Sequence, residues 1–219
     1  MNIRLICLSC AILFIIPLNC IAESISELIE KGDINQAITR IDSKDTSTSE
    51  KTEALFQGIM FGDSDIVERL LKGGATVSEA TYENICKAHH FHLLKMFFAH
   101  QEPSPIARER LFNCATEQEA FEAYPILTDG GKISPEAIGK AYLSVIREGR
   151  PLDPFKSLKP SLSVVDEQGR TALHWAVIRQ NQDLVKVLLK AGAKKAVKDN
   201  AGKTAGDYAK EMKFLVKGL

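Results

Sequence analysis

The 219-residue chain carries 28 basic and 28 acidic residues, with 45% apolar and 26% charged side chains. That neutral balance argues against a general electrostatic affinity for nucleic acid or anionic lipid, and the apolar content against a disordered or polytopic membrane protein. The charge is uneven along the chain: from Lys186 onward nine Lys stand against Asp199, Asp207 and Glu211, a cationic C-terminal end.

At the N-terminus Arg4 precedes a run from Leu5 to Leu18 that is apolar apart from Ser9 and Pro17. Small residues follow at Cys20 and Ala22. This is the layout of a secretory signal with cleavage expected after Ala22, leaving residues 23–219 as the folded chain. About 14 residues at 1.5 Å each span roughly 21 Å, short of a hydrocarbon core of about 30 Å, so a membrane anchor is the weaker reading. A lipid anchor on Cys20 would want a small residue before it and a Leu three before; Asn19 and Pro17 stand there instead. Cleavage removes Cys7, Cys10 and Cys20. Only Cys86 and Cys114 remain, too few for a disulfide-built scaffold even in an oxidising destination.

Helical spacing then recurs along the chain. Gly32-Asp33 opens a short apolar-periodic stretch to Ile38, and 30 residues later Gly62-Asp63 opens a second, with Ile66, Val67, Leu70 and Leu71 on one face before Gly73-Gly74-Ala75. Cys86 to Ala99 reads as another helix pair, with Leu93, Leu94, Phe97 and Phe98 on the equivalent face. Leu111 to Gly131 and Pro135 to Pro160 fit the spacing loosely. Near the C-terminus Asp166, Gly169, Thr171, Ala172 and Ala176 return 33 residues later as Asp199, Gly202, Thr204, Ala205 and Ala209. Thr171 is placed to cap a helix carrying Leu173, Ala176 and Val177. Leu184, Val185, Leu188 and Leu189 form the stripe of a second helix, which Gly192 can end in the left-handed conformation.

With Thr171-Ala172-Leu173-His174, the Leu188-Leu189 pair and Gly192-Ala193 in place, the segment resembles the ankyrin repeat, departing from it where Gln180-Asn181 occupies the family's Gly-His turn. The resemblance implies an all-α solenoid of about six or seven helix-turn-helix repeats in one domain over 23–219, clearest at 53–78 and 165–209 and divergent toward the N-terminus. Each repeat buries its apolar face only against neighbours, so at least three are required. The last pair reads as a polar cap, with Lys210, Glu211, Lys213 and Lys217 outward. The resemblance also implies protein recognition through a concave face and turn tips. The expected contact residues are Thr76, Lys195, Lys198 and Asn200 at the tips, with Ile178 and Arg179 on a first helix.

Candidate chemistry is sparse. His89, His90, His92 and His100 crowd together and bring a metal site to mind, with His89, His90 and His92 as the candidate ligands. Yet His90 aligns with Asp63 in the turn between paired helices, and no Cys, Asp or Glu completes a set nearby in sequence. His174 is expected to link the turns of adjacent repeats; Trp175 is either a binding aromatic or, as a bulky residue after that His commonly is, core or partial core. Gly202-Lys203-Thr204 imitates a phosphate loop, but Val197 stands where its first Gly belongs. Packed helices lie 8–10 Å apart, so Cys86 and Cys114, expected within a residue of register on consecutive first helices, read as two free, largely buried thiols.

The resulting expectation is a monomeric, non-catalytic binding module without a cofactor. It is exported to the bacterial periplasm, or beyond it, and holds a protein whose surface is acidic. No Asn-x-Ser/Thr sequon is present to mark a glycosylated eukaryotic secreted protein. An immunity protein or chaperone-like partner of an envelope protein is one specific form. A secreted host-directed effector, and a metal or redox accessory factor using the histidines and Cys86, are the alternatives.

Overall fold

The computed structural model describes residues 23–216 and 218–219; the expected signal peptide, its cleavage point at Ala22, the Cys20 alternative and Lys217 lie outside the described residues. All regular structure among them is helical, in two compact units that meet in sequence at Thr76 and Val77. The first unit holds α1 (Ile25–Lys31), α2 (Ile34–Ile41), α3 (Thr48–Phe61) and α4 (Ser64–Lys72). The second holds α5 (Glu79–Ala88), α6 (Leu94–His100), α7 (Pro105–Glu117), α8 (Tyr124–Leu127), α9 (Pro135–Glu148), α10 (Ala172–Ile178), α11 (Gln182–Lys190) and α12 (Ala205–Glu211). No described helix is long and apolar enough to cross a membrane.

One backbone device closes each of seven first helices among the described residues, and it recurs after α4 at Gly74 and after α11 at Gly192. Helices α1, α3, α5, α7, α9, α10 and α12 each end on a residue in the left-handed region: Gly32, Gly62, His89, Glu119, Gly149, Gln180 and Lys213. The next residue then donates its N–H to the carbonyl five positions back. These bonds are Asp33 to Leu28, Asp63 to Gly58, His90 to Ile85, Ala120 to Ala115, Arg150 to Val145, Asn181 to Ala176 and Phe214 to Ala209, at 2.8–3.2 Å. This closure satisfies carbonyls that a helix end would orphan and turns the chain back on itself. An L side chain in this region costs roughly 1–2 kcal/mol, so the four turns without glycine are held by their surroundings.

The second helices carry the apolar stripes expected of them. Ile66, Val67 and Leu70 of α4 are fully buried, as are Leu93, Leu94 and Phe97 around α6; Val185 and Leu188 of α11 are buried too. At α9 the pattern breaks. Its second helix is reduced to a 3-10 turn at Asp153–Phe155, and an extended stretch runs on toward Asp166. That stretch lies against α9: Ser161 donates its N–H to the Pro135 carbonyl at 2.7 Å. A Cβ at Gly139 would run into the Ser161 carbonyl, so glycine is what admits the loop there.

Within the second unit α5, α7 and α9 are tied in succession at both ends, and α9 is tied to α10 at the C-terminal ends. At the N-terminal ends the cap hydroxyl of Ser104 donates to Glu79 at 2.7 Å, and that of Ser134 to Glu109 at 2.8 Å. At the C-terminal ends a side chain from the following turn donates to an end carbonyl: Gln118 to Cys86 (3.1 Å), Arg150 to Thr116 (2.8 Å) and Arg179 to Arg147 (3.0 Å). Buried Arg108 does the same for α8, donating to the Ile126 and Leu127 carbonyls at 3.0 and 3.1 Å. A cation is favoured at a helix C-terminus by the dipole as well as by the hydrogen bond.

The structure corrects the expectation for the cysteines: Cys86 on α5 and Cys114 on α7 form a disulfide, with Cα atoms 6.3 Å apart. Two assumptions failed. The 8–10 Å figure separates helix axes, whereas Cα atoms sit about 2.3 Å off each axis and facing ones come closer by as much as ~4.6 Å. The register also differs from the expected one. Counting from the N-caps Ser78 and Ser104, Cys86 is eight residues in (86 − 78) and Cys114 ten (114 − 104). For a bridge closing a loop of 28 residues, chain-entropy arguments give about 3.6 kcal/mol. The C86A/C114A double variant is therefore expected to lose about 3.6 kcal/mol of unfolding free energy in urea titrations; a loss below about 1 kcal/mol would mean that the α5–α7 packing holds without the link.

Candidate protein-binding surface

The surface best defined by its own chemistry is built where the 33-residue repeat is clearest. In each copy an Asp organises the turn ahead of a first helix. Asp166 Oδ1 accepts from the N–H groups of Gln168 and Arg170, both within 3.0 Å. Asp199 Oδ1 accepts from Ala201 and Lys203, both at 3.0 Å. The other carboxylate oxygen of each takes an aromatic donor nine residues on: Trp175 Nε1 to Asp166 at 2.7 Å and the Tyr208 hydroxyl to Asp199 at 2.6 Å. The same spacing therefore sets an aromatic ring over each turn.

Arg170 joins the two copies. Its guanidinium donates to the Tyr208 hydroxyl at 3.2 Å, lies 3.6 Å from the Asp199 carboxylate, and sits over the rings of Trp175 and Tyr208 at 5.4 and 5.5 Å. Lys203, at the equivalent place in the second copy, lies over Tyr208 at 5.4 Å and pairs with Glu211. All four side chains are half-buried. Trp, Tyr and Arg held half-open in fixed orientations are the residue types that dominate binding energy at interfaces. The Tyr208 hydrogen bond, helped by backbone N–H donors, holds the Asp199 carboxyl down at about 2.

The turns are tied as well. His174 is buried. Its Nδ1 accepts the Thr171 N–H at 3.1 Å, which leaves Nε2 to donate to the Lys203 carbonyl of the next turn at 3.2 Å. Asn200 donates its backbone N–H to the Gln168 carbonyl and its side-chain amide to the Glu167 carbonyl, both at 2.9 Å. Gly169, at φ 75°, permits this approach, since a Cβ there would lie 2.6 Å from Asn200 Oδ1.

The expected contact residues fall into two groups. Lys195 and Lys198 are exposed on the turn after α11. Asn200, although exposed, spends its amide on the preceding turn, and Arg179 spends its guanidinium on the Arg147 carbonyl. Ile178 is half-buried at the end of α10. Thr76 lies in the first unit, where its N–H donates to the Thr52 hydroxyl at 2.9 Å, apart in sequence from the rest. The aromatic–Arg cluster was missed as a unit. Its trace is readable in the repeat: Arg170 and Lys203, like Trp175 and Tyr208, are 33 residues apart.

The histidines do not converge. His89 closes α5, His90 begins the following 3-10 turn with its ring 5.4 Å from that of His92, and His100 ends α6. Among the described residues no three His, Cys, Asp or Glu side chains gather in a way that would hold a metal ion.

Helix pairs stacked on tied turns, presenting fixed aromatic and cationic side chains, define a repeat scaffold that binds by its surface. Residues 145–217 match the family model of ankyrin repeats in three copies. No curated protein matches the chain. Among solved structures, the ankyrin repeat domain of Bcl-3, a member of the IkappaB protein family, is 17% identical and covers 79% of this chain and 83% of its own, with a TM-score of 0.58. The ankyrin repeat protein EF0377 is 19% identical, covering 87% and 92%, at a TM-score of 0.34. A chain from the complex of a Bdellovibrio bacteriovorus predatory endopeptidase with an immunity protein is 18% identical, covering 88% and 93%, at 0.37. At these identities the first shows the fold alone, and the other two superpose too weakly to add to it. Residues 145–217 thus carry ankyrin repeats, and the helical fold of the chain is similar to that of an ankyrin repeat domain. Ankyrin repeats form a protein-protein interaction scaffold that is generally non-catalytic.

The depressed Asp199 carboxyl gives a pH signature. Its folded value of about 2 lies below the ordinary ~3.9 of an unfolded Asp, so its stabilisation is complete above that range and lost as pH falls through about 2. D199N should lower the melting temperature at pH 7 and flatten the wild-type decline between pH 4 and 2. Parallel acid limbs in scanning calorimetry would show that Asp199 does not set it.

Proposed function

We propose that this protein is exported to the bacterial periplasm and there binds a partner protein of acidic surface, as a monomeric module that catalyses nothing. The observation that carries the binding reading is the Arg170–Trp175–Tyr208 cluster, fixed by Asp166 and Asp199 beside exposed Lys195 and Lys198. A rigid surface of this kind binds with little ordering cost, and its cations favour a carboxylate-rich partner by attraction at long range. Export is supported by the N-terminal sequence and by the Cys86–Cys114 bridge, since structural disulfides persist in oxidising compartments and are rare in the cytosol. Partner choice in this reading belongs to the turn tips, and the ties made by buried His174 and exposed Asn200 keep those tips in place.

The test is recovery of the tagged protein from the periplasmic fraction of its native host. Mass spectrometry should find Glu23 as its first residue and one stoichiometric partner. Because Lys195 and Lys198 are exposed, K195E/K198E should keep its helical content and melting temperature yet lose partner recovery about tenfold, with binding weakened by added salt. An intact residue 1–22 segment would overturn export. Undiminished recovery with the double variant would move the interface elsewhere.

A further inference from the structure

The disulfide is not symmetric in its surroundings. A groove of about 180 Å³ opens between α5 and α7, walled by Tyr82, Cys86 and Lys87 on one side and Ala107, Arg110 and Leu111 on the other. Cys86 belongs to its wall and is half-buried; Cys114 is buried and does not line it. The Glu83–Arg110 ion pair, at 3.4 Å with both side chains more than half exposed, spans the mouth. So weak and solvated a pair would yield to an entering group. The Gln118 amide, already donating to the Cys86 carbonyl at 3.1 Å, stands 3.8 Å from Cys86 Sγ.

Thiol–disulfide exchange is decided by which sulfur a nucleophile reaches and by how well the departing thiolate is stabilised. On the first count the groove favours Cys86, because it opens onto that residue while Cys114 is buried and lies outside its lining. The second count bears on the later step, in which Cys86 itself departs: the Gln118 N–H is placed to solvate the Cys86 thiolate when the mixed disulfide is resolved. The polar rim and apolar floor suit a small peptide-like thiol. A large protein thiol would have to displace the rim to enter 180 Å³.

We propose that Cys86 is a site of exchange with a low-molecular-weight thiol, so that the covalent tie between two first helices can be opened and reclosed. In the first step the thiolate of the small thiol attacks Cys86 Sγ. A mixed disulfide forms on Cys86, the Cys86–Cys114 bond breaks, and Cys114 leaves as a thiolate that takes a proton from water. In the second step another molecule of the thiol attacks the sulfur of the bound one. Cys86 is released as a thiolate beside Gln118, and the small thiols depart joined as their own disulfide. Two electrons pass from the thiols to the protein, and the reverse sequence restores the bridge. The proposal does not depend on the identity of the protein partner.

The experiment uses the oxidised full-length mature chain in glutathione buffers, with acid quenching and peptide mass spectrometry. The adduct is expected on the Cys86 peptide at about ten times the level on the Cys114 peptide. A second measurement follows Ellman's reagent on the single-thiol variants C114S and C86S, with circular dichroism as the check on folding. Cys86 in C114S should react at least about tenfold faster than Cys114 in C86S. Should either variant fail to fold, adduct mapping on the wild-type chain decides alone. Adducts equal at both residues or concentrated on Cys114, or none before the chain unfolds, would overturn the proposal.

Discussion

The hydrogen bond from the residue after each left-handed turn to the carbonyl five places back is the constraint on which the rest of the structure depends. It is made by backbone atoms alone, so it fixes where the first helix stops and where the second begins without fixing a side chain. Gly32, Gly62 and Gly149 meet the backbone requirement at no steric cost, whereas His89, Glu119, Gln180 and Lys213 meet it under strain. The strain persists because the apolar residues on either side of the turn, Ile85 with Leu93 or Ala176 with Val185, are buried only when the chain reverses there. Local closure and burial each require the other.

Side chains then do between repeats what the backbone does within one. Where the family motif is strong, the tie runs through His174 and Asn200 to the neighbouring turn; where it has decayed, Ser–Glu pairs at one end and Gln or Arg donors at the other take over. Both solutions satisfy end groups of helices that packing would otherwise strip of water. The cationic donors sit at C-termini, where the peptide dipoles favour positive charge, so the same geometry can be kept with quite different residues.

This explains what could be read in the sequence and what could not. The copies at 53–78 and 165–209 were legible because Gly62, Asp63, Thr171 and Gly192 are where a backbone demand has a preferred residue. The middle of the chain was blurred because His89 and Glu119 fill positions that call for glycine, and because the second helix after α9 has become a 3-10 turn with a loop. Burial patterns survived that drift: Leu93, Leu94 and Phe97 were identifiable by spacing alone. The bridge is not legible from helix spacing, because the distance between helix axes exceeds that between facing Cα atoms. The aromatic–Arg cluster was hidden for another reason. Its members are ordinary in isolation and meet only when two turns stack, although Asp166 and Trp175 each reappear in kind one repeat later.

The link between α5 and α7 has one more consequence. In a stack where each helix pair is stabilised chiefly by its neighbours, a pair that comes loose is ordinarily free to diffuse away from its packing surface. A covalent tie between Cys86 and Cys114 keeps the detached helix within a few ångströms of its seat. The two surfaces then face each other at an effective concentration in the millimolar range or above, as short tethers do. Local opening in this part of the chain becomes a brief excursion with an almost certain return, in the stretch where the family's own contacts are thinnest.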